Sequence, residues 1–210
     1  MWRRALGYFD VVAYDGDGQE GRELAHNLGV APEMMWIKRR NEGYNWIAWT
    51  DSLEANEHLY LNTSASKDNS FDFLSNTRPT ESVITLSSDF GVNGSGNTFV
   101  AYLFATLPVV SKVGSYTGTG STPLNVDCGF SNGARFVMIK RVDAAGFDWN
   151  VWDSVRGIVA GYDPKLAFNY DSAQYSFADY IDPLSSGFAV STTGNDLNAN
   201  GGTYIFYAIA

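Results

Sequence analysis

The chain is poor in the residues that usually announce metal or redox chemistry. It has one cysteine, Cys128, and two histidines, His26 and His58, among 210 residues. A lone cysteine forms no internal disulfide and builds no cysteine-based zinc site. Following an apolar run and without a neighbouring histidine, Cys128 reads as a buried, inert thiol. Neither histidine stands in an H-x-E or H-E-x-x-H spacing, so each is expected at the surface or in a turn, with no metal bound. Charged residues make up only 18% of the chain, below the roughly 25% usual for soluble domains. No apolar run approaches the roughly 18 residues of a membrane span, so no membrane insertion is expected. The glycine-rich stretch 91–96 lacks the lysine and following helix of a phosphate loop. Basic residues number 14 against 23 acidic, a net charge of −9, which repels a phosphate backbone and excludes nucleic acid as a partner. What the chain does have is aromatic side chains, at 15%, and 21 glycines. That composition argues for a folded, aromatic-rich core rather than disorder.

The glycines and aromatics recur in order. Tyr14, Gly16 and Gly18 reappear as Tyr116, Gly118 and Gly120, and Met35 to Arg39 reappears as Val137 to Arg141, both 102 positions later. Trp46 and Trp49 match Trp149 and Trp152, and Asp51-Ser52 matches Asp153-Ser154. Phe90-x-Val92 matches Phe188-x-Val190, and the run 98–105 matches 203–210. Six ordered matches at nearly constant spacing make a tandem duplication. The copies divide near Pro108, giving 6–108 and 109–210. The same offset sets Met1-Trp2 opposite Leu103-Phe104, so residues 1–5 read as the end of a possible upstream repeat. The spacing drifts between Asp51 and Phe90 and between Asp153 and Phe188, which marks variable surface loops.

Both copies read as strands. Met34 to Lys38 and Arg135 to Lys140 are apolar on both alternating faces, as in a strand buried on two sides. Tyr-x-Gly-x-Gly marks a turn, because glycine tolerates positive φ. Only 51–59 has a helical rhythm, and glycines at 157 and 161 weaken it in the second copy. The expected fold is all-β: two tandem antiparallel β-sandwich repeats, jelly-roll or lectin-like, each of six to eight short strands. A single double sandwich shared by both copies is the alternative.

Candidate chemistry is sparse. Asp15 and Asp17 hint at calcium, but the second copy has Thr117 and Thr119 there and no twelfth-position glutamate follows, so a turn is the better reading. Asp51 and Asp153, one per copy, suit structure more than the paired carboxylates of a glycosidase. Catalytic residues and cofactors are therefore both expected to be none. Trp49 and Trp152 offer a sharper possibility. A tryptophan beside Asn150, Asp51 or Asp153, with Arg156 following, would stack on a sugar face while polar groups bind its hydroxyls. The plainer alternative is that both tryptophans cap the core. Arg39 with Asp51, and Arg141 with Asp153, are expected as cross-strand ion pairs, with recognition of an acidic sugar as the rarer alternative.

The order Y-x-G-x-G, an apolar strand ending I-K-R, W-x-x-W followed by D-S, and a closing T-[FY]-[VI]-x-Y resembles the β-rich repeats of virion appendage proteins of tailed bacteriophages, notably marine ones. L-G-V-A-P-E-M-M-W-I-K-R-R, W-D-S-V-R-G-I-V-A-G and G-G-T-Y-I-F-Y-A-I-A carry most of the likeness. A fainter likeness, in strand order alone, is to H-type lectin sandwiches. The resemblance implies a non-enzymatic virion module of a tail fibre, spike or capsid surface, made in the host cytoplasm, that contacts neighbouring virion proteins and host-surface glycan. Edge strands favour a homo-oligomer, and the fibre analogy makes it a trimer. A purely structural decoration or spacer protein, and a polysaccharide-degrading enzyme, are the alternatives.

Overall fold

A computed structural model describes residues 4–210 of the chain. Most of the segment 1–5, read as the end of an upstream repeat, lies outside the described residues. Ala5 itself forms a local bridge to Phe9.

The chain is all-β, and its sheets are antiparallel. It divides into two compact units. The first holds the residues up to Leu61 together with Lys67–Thr106, and the second holds Leu107–Ala210 together with the short segment Asn62–Ser66. The first unit contains β1 (Phe9–Asp15), β2 (Arg22–Ala25), β3 (Met34–Arg39), β4 (Ile47–Thr50), β5 (Leu59–Tyr60), β6 (Val83–Leu86) and β7 (Thr98–Phe104). The second contains β8 (Ser111–Thr117), β9 (Leu124–Asp127), β10 (Phe136–Arg141), β11 (Asn150–Asp153), β12 (Leu166–Ala167), β13 (Ile181–Leu184), β14 (Gly187–Val190) and β15 (Thr203–Ile209).

Each unit repeats one plan. The large sheet of the first unit runs β1-β7-β3-β4-β5, and that of the second runs β8-β15-β10-β11-β12. A smaller sheet accompanies each, β2-β6 in the first unit and β13-β14-β9 in the second. The second core lies between its two sheets. Val126, Ile181, Phe188 and Val190 of the small sheet pack with Val137, Ile139, Trp152, Tyr204, Phe206 and Ala208 of the large one. Alternating side chains of β10 and β15 thus feed one apolar layer, while Met138, Ile205 and Tyr207 on their other face are buried as well.

Strand register explains two features of the duplicated sequence. Val12 pairs with Ala101 in the first unit, and their counterparts Gly114 and Phe206 pair in the second. A Cβ on Gly114 would meet the Phe206 ring at 2.7 Å, so the bulk has moved from one strand to its neighbour with little change in total. The stretch 51–59 forms no helix. Leu53 and Glu57 close single turns onto Thr50 and Glu54, while Trp49 Nε1 donates to the Glu54 carbonyl at 3.0 Å. Leu53 and Ala55, on either side of Glu54, are buried in this irregular segment.

The Tyr-x-Gly-x-Gly turn is locked by an asparagine from the loop before the last strand. In the second unit Asn198 is fully buried. Its Oδ1 accepts from the Thr119 N–H at 2.8 Å, and its amide donates to the Ser121 and Thr192 carbonyls. Tyr116 donates to the neighbouring Leu197 carbonyl at 2.8 Å and stacks on Tyr204. The first unit repeats this with Asn93, Asp17, Gln19, Tyr14 and Phe99. Gly118 and Gly16 are required because a Cβ at either would strike the carbonyl oxygen of Ala199 or Gly94. Replacing the buried Asn198 removes the acceptor of the Thr119 N–H and the donor to the Ser121 and Thr192 carbonyls at once. Asn198→Ala is expected to lower stability by about 2–4 kcal/mol, read from the chemical-denaturation midpoint. A loss below about 0.5 kcal/mol, typical of a surface change, would contradict the lock.

Candidate functional site: an open aromatic cleft in the second repeat

The residues singled out from sequence do not assemble into a site. Trp49 and Trp152 are 1% and 0% exposed, so neither presents a face to a sugar. Trp152 lies in the second core, its ring 6.1 Å from Tyr180. Asn150 is buried too, and its amide donates to the Asp148 carbonyl at 3.3 Å. Asp153 caps its own turn: Oδ1 accepts from the Val155 and Arg156 N–H groups, and Oδ2 pairs with the exposed Arg156 guanidinium. Asp51 is exposed in the other unit, where its carbonyl accepts from Arg78.

Nor are Asp51 and Asp153 equivalent. Met34 pairs with Thr50, and Phe136 pairs with Asp153. The Asp51 and Ser154 N–H groups bond the matching carbonyls of Glu33 and Arg135. Asp153 therefore corresponds to Thr50. The expected cross-strand ion pairs are replaced by local ones. Arg39 pairs with Glu42 at 2.6 Å and lies 4.1 Å from the Phe90 ring centre, while Arg141 pairs with Asp143 at 2.9 Å. In each case the residue in the following loop reaches the guanidinium before the partner strand does. Cys128 is buried, and burial pushes its thiol up to about 12.

The histidines also depart from expectation. His26 and His58 are both buried, and burial pulls each below the ordinary histidine range. Against His58, Phe71, Tyr60 and Phe73 stand 4.1, 5.1 and 5.9 Å away between ring centres. Its nearest charged group is the Asp68 carboxylate at 4.0 Å. The backbones of His58 and Asp68 form a two-way bridge, each N–H bonding the other carbonyl at 2.8 Å.

That bridge has a counterpart in the second unit, and there the surroundings open. Leu59 and Leu166 occupy equivalent strand positions, so Lys165 stands where His58 does and Tyr175 where Asp68 does. Lys165 and Tyr175 bond backbone to backbone at 2.6 and 2.9 Å. The loop they close borders a cleft of about 440 Å³ lined by Asp148, Lys165, Leu166, Ala167, Tyr170 and Tyr175, with Ser172 and Ala173. Tyr170 is 61% and Tyr175 51% exposed.

The cleft is built rather than loose. Asn169 Oδ1 accepts from the Trp149 N–H at 2.8 Å, and its amide donates to Asp148 Oδ1 at 2.7 Å, tying the loop to β11. The Phe168 N–H bonds the Trp149 carbonyl. Tyr175 packs edge-on against Phe177, 5.0 Å between ring centres. Lys165 Nζ reaches Asp196 at 3.4 Å and lies 4.5 Å from the Tyr180 ring centre. Two residues before Lys165, the fully buried Asp163 accepts from the Val159, Tyr180 and Ile181 N–H groups. Desolvation raises its carboxyl above the usual range, and those three bonds oppose the rise. Lys140, also fully buried, donates to the Phe147 carbonyl at 2.5 Å and to the Ser64 carbonyl at 3.4 Å. Burial lowers its ammonium to about 8, and Asp148 opposes that shift.

Tyr162, Phe168, Tyr170, Tyr175 and Phe177 are large, exposed and confined to one irregular stretch of the second repeat. Aromatics concentrated in a segment without strand periodicity were the available sequence signal for this surface. Exposed rings and a carboxylate around a concavity form an arrangement suited to a small polar ligand with an apolar face. Among the described residues no group of three or more histidine, cysteine or carboxylate side chains is arranged to hold a metal ion.

Fold and cleft together define a duplicated, all-β sandwich protein with a concave aromatic surface in its second repeat. The chain belongs to the family described as Domain of unknown function (DUF7483), whose match covers residues 4–210 and so spans both repeats. No curated protein and no solved structure matches it.

Two outcomes follow. Trp152→Ala is expected to cost about 3–5 kcal/mol, as a buried large-to-small change does, seen as a lowered thermal midpoint; an unchanged midpoint would show that the ring is not in the core. The buried histidines set a pH window. Their folded pKa values lie below the unfolded value of about 6.5, so the unfolded state binds more protons as pH falls through that value. Stability is complete above about pH 6.5 and declines below it toward the folded pKa values. A flat stability profile for the wild type, or an equal decline in a His26→Gln/His58→Gln double variant, would contradict this.

Proposed function

We propose that the chain is a non-enzymatic glycan-binding module of a bacteriophage virion appendage. Its place would be a tail fibre, a spike or the capsid surface, where it meets host-surface glycan and neighbouring virion proteins. The observation that carries the binding role is the cleft bordered by the exposed Tyr170 and Tyr175 rings beside Asp148 and Lys165. An aromatic face supplies contact to the C–H side of a sugar ring, and the flanking Asp148 carboxylate takes its hydroxyls. The virion setting rests on the ordered sequence motifs shared by the two copies. A homo-oligomer would multiply weak sites through avidity.

The wild-type chain on a glycan array is expected to bind at least one class of bacterial surface polysaccharide. Tyr175→Ala, at an exposed position, is expected to keep its fold and lose about tenfold in affinity, the equivalent of about 1.4 kcal/mol. Absence of binding to any glycan would overturn the proposal in favour of a structural decoration or spacer protein. Release of new reducing ends from the polysaccharide would overturn the non-enzymatic part.

A further inference from the structure

The cleft has a charge character that narrows what it takes. Two lysines lie near it, and neither is available to a ligand anion. Lys140 is fully buried and directed at the Phe147 and Ser64 carbonyls. Lys165 is only 17% exposed at its side chain, faces Asp196, and lies against the Tyr180 ring. The acidic groups are better placed. Asp148 lines the cleft, and Asn169 occupies its Oδ1, while Oδ2 accepts no hydrogen bond among the described residues. Asp171 sits exposed in the same loop, next to Tyr170. A ligand carboxylate or sulfate would meet this carboxylate surface with no uncommitted cation to receive it, a repulsive arrangement of the kind that sets specificity. An uncharged sugar meets none of that repulsion. Its hydroxyls donate to the carboxylate, a charge-assisted hydrogen bond stronger than one between neutral groups.

Resting on the glycan-binding reading, we propose that the second-repeat cleft selects an uncharged hexose, stacked on the Tyr170 and Tyr175 rings and donating hydroxyl hydrogen bonds to Asp148, and that it discriminates against acidic sugars. The decisive probes are matched pairs on one scaffold: glucose against glucuronate, and galactose against galacturonate. Each pair differs only in whether C6 carries an alcohol or a carboxylate. The neutral member of the binding pair is expected to bind at least about tenfold more tightly. Its affinity is expected to hold between low salt and about 0.5 M, where exposed-charge attraction is screened. Asp148→Asn is expected to weaken the neutral sugar and to narrow the preference between the pair.

An acidic member that binds as tightly as its neutral twin, with affinity falling as salt rises, overturns this inference and leaves the glycan-binding reading standing. Asp148→Asn with both affinities unchanged overturns it as well. Failure of every pair and every array glycan takes down the glycan-binding reading itself. Tyr170→Ala serves as the second variant. Its position is exposed, so lost neutral binding with an unchanged thermal midpoint supports the stacking role, and retained binding counts against it.

Discussion

The last strand of each unit is an interior strand of its large sheet, and it joins the unit's first strand to the rest. β7 lies between β1 and β3, and β15 lies between β8 and β10. Until that strand arrives, β1 and β3, or β8 and β10, have no partner in common, and the unit's first strand has no place in the sheet. The loop entering it carries the asparagine that fastens the opening Tyr-x-Gly-x-Gly turn, Asn93 in one unit and Asn198 in the other. One event therefore closes the sheet, stacks Tyr14 on Phe99 or Tyr116 on Tyr204, and satisfies the turn backbone. Such a fold depends on contacts between residues about a whole repeat apart, so closing it costs chain entropy before any packing is gained. The motifs most alike in the two copies serve this closure.

At the other edge of the large sheet the constraint relaxes. β5 and β12 are two-residue edge strands, and the loops beyond them carry no part of the closure. The two copies keep the same backbone bridge there and fill it differently. In the first repeat, His58 is covered by rings of its own unit. In the second, Lys165 is drawn toward Asp196 and Tyr180, and the rings of Tyr170 and Tyr175 turn to solvent. A buried imidazole favours its neutral form and a dry pocket, whereas exposed rings beside charged groups leave a wet one. Identical scaffolding thus gives a packed hairpin in one copy and a cleft in the other.

The all-β plan and the duplication were legible in the sequence because they follow from alternation, glycine punctuation and spacing. The lock was half visible. Tyr-x-Gly-x-Gly stood out, but Asn93 and Asn198 could be recognised only once their backbone partners were known. The tryptophans misled because a large aromatic beside polar residues reads alike as a core cap or a sugar platform. Burial of Trp49 and Trp152 decides for the core. The cleft stayed hidden for a different reason. Its equivalence with the first repeat is carried by backbone hydrogen bonds at His58–Asp68 and Lys165–Tyr175, and side chains as unlike as histidine and lysine leave no trace of that. Loop insertions on either side had also shifted the register, pairing Asp51 with Asp153 by name when strand pairing matches Asp153 to Thr50.

The proposed glycan recognition rests on the second-repeat hairpin, where the first repeat has packed its own around His58. Amide hydrogen exchange across the full chain, with and without a saturating neutral oligosaccharide, tests it most directly. Exchange is expected to slow at 165–175 and around Asp148, with 58–68 unchanged. Slowing confined to 58–68, or shared equally by the two hairpins, would contradict it.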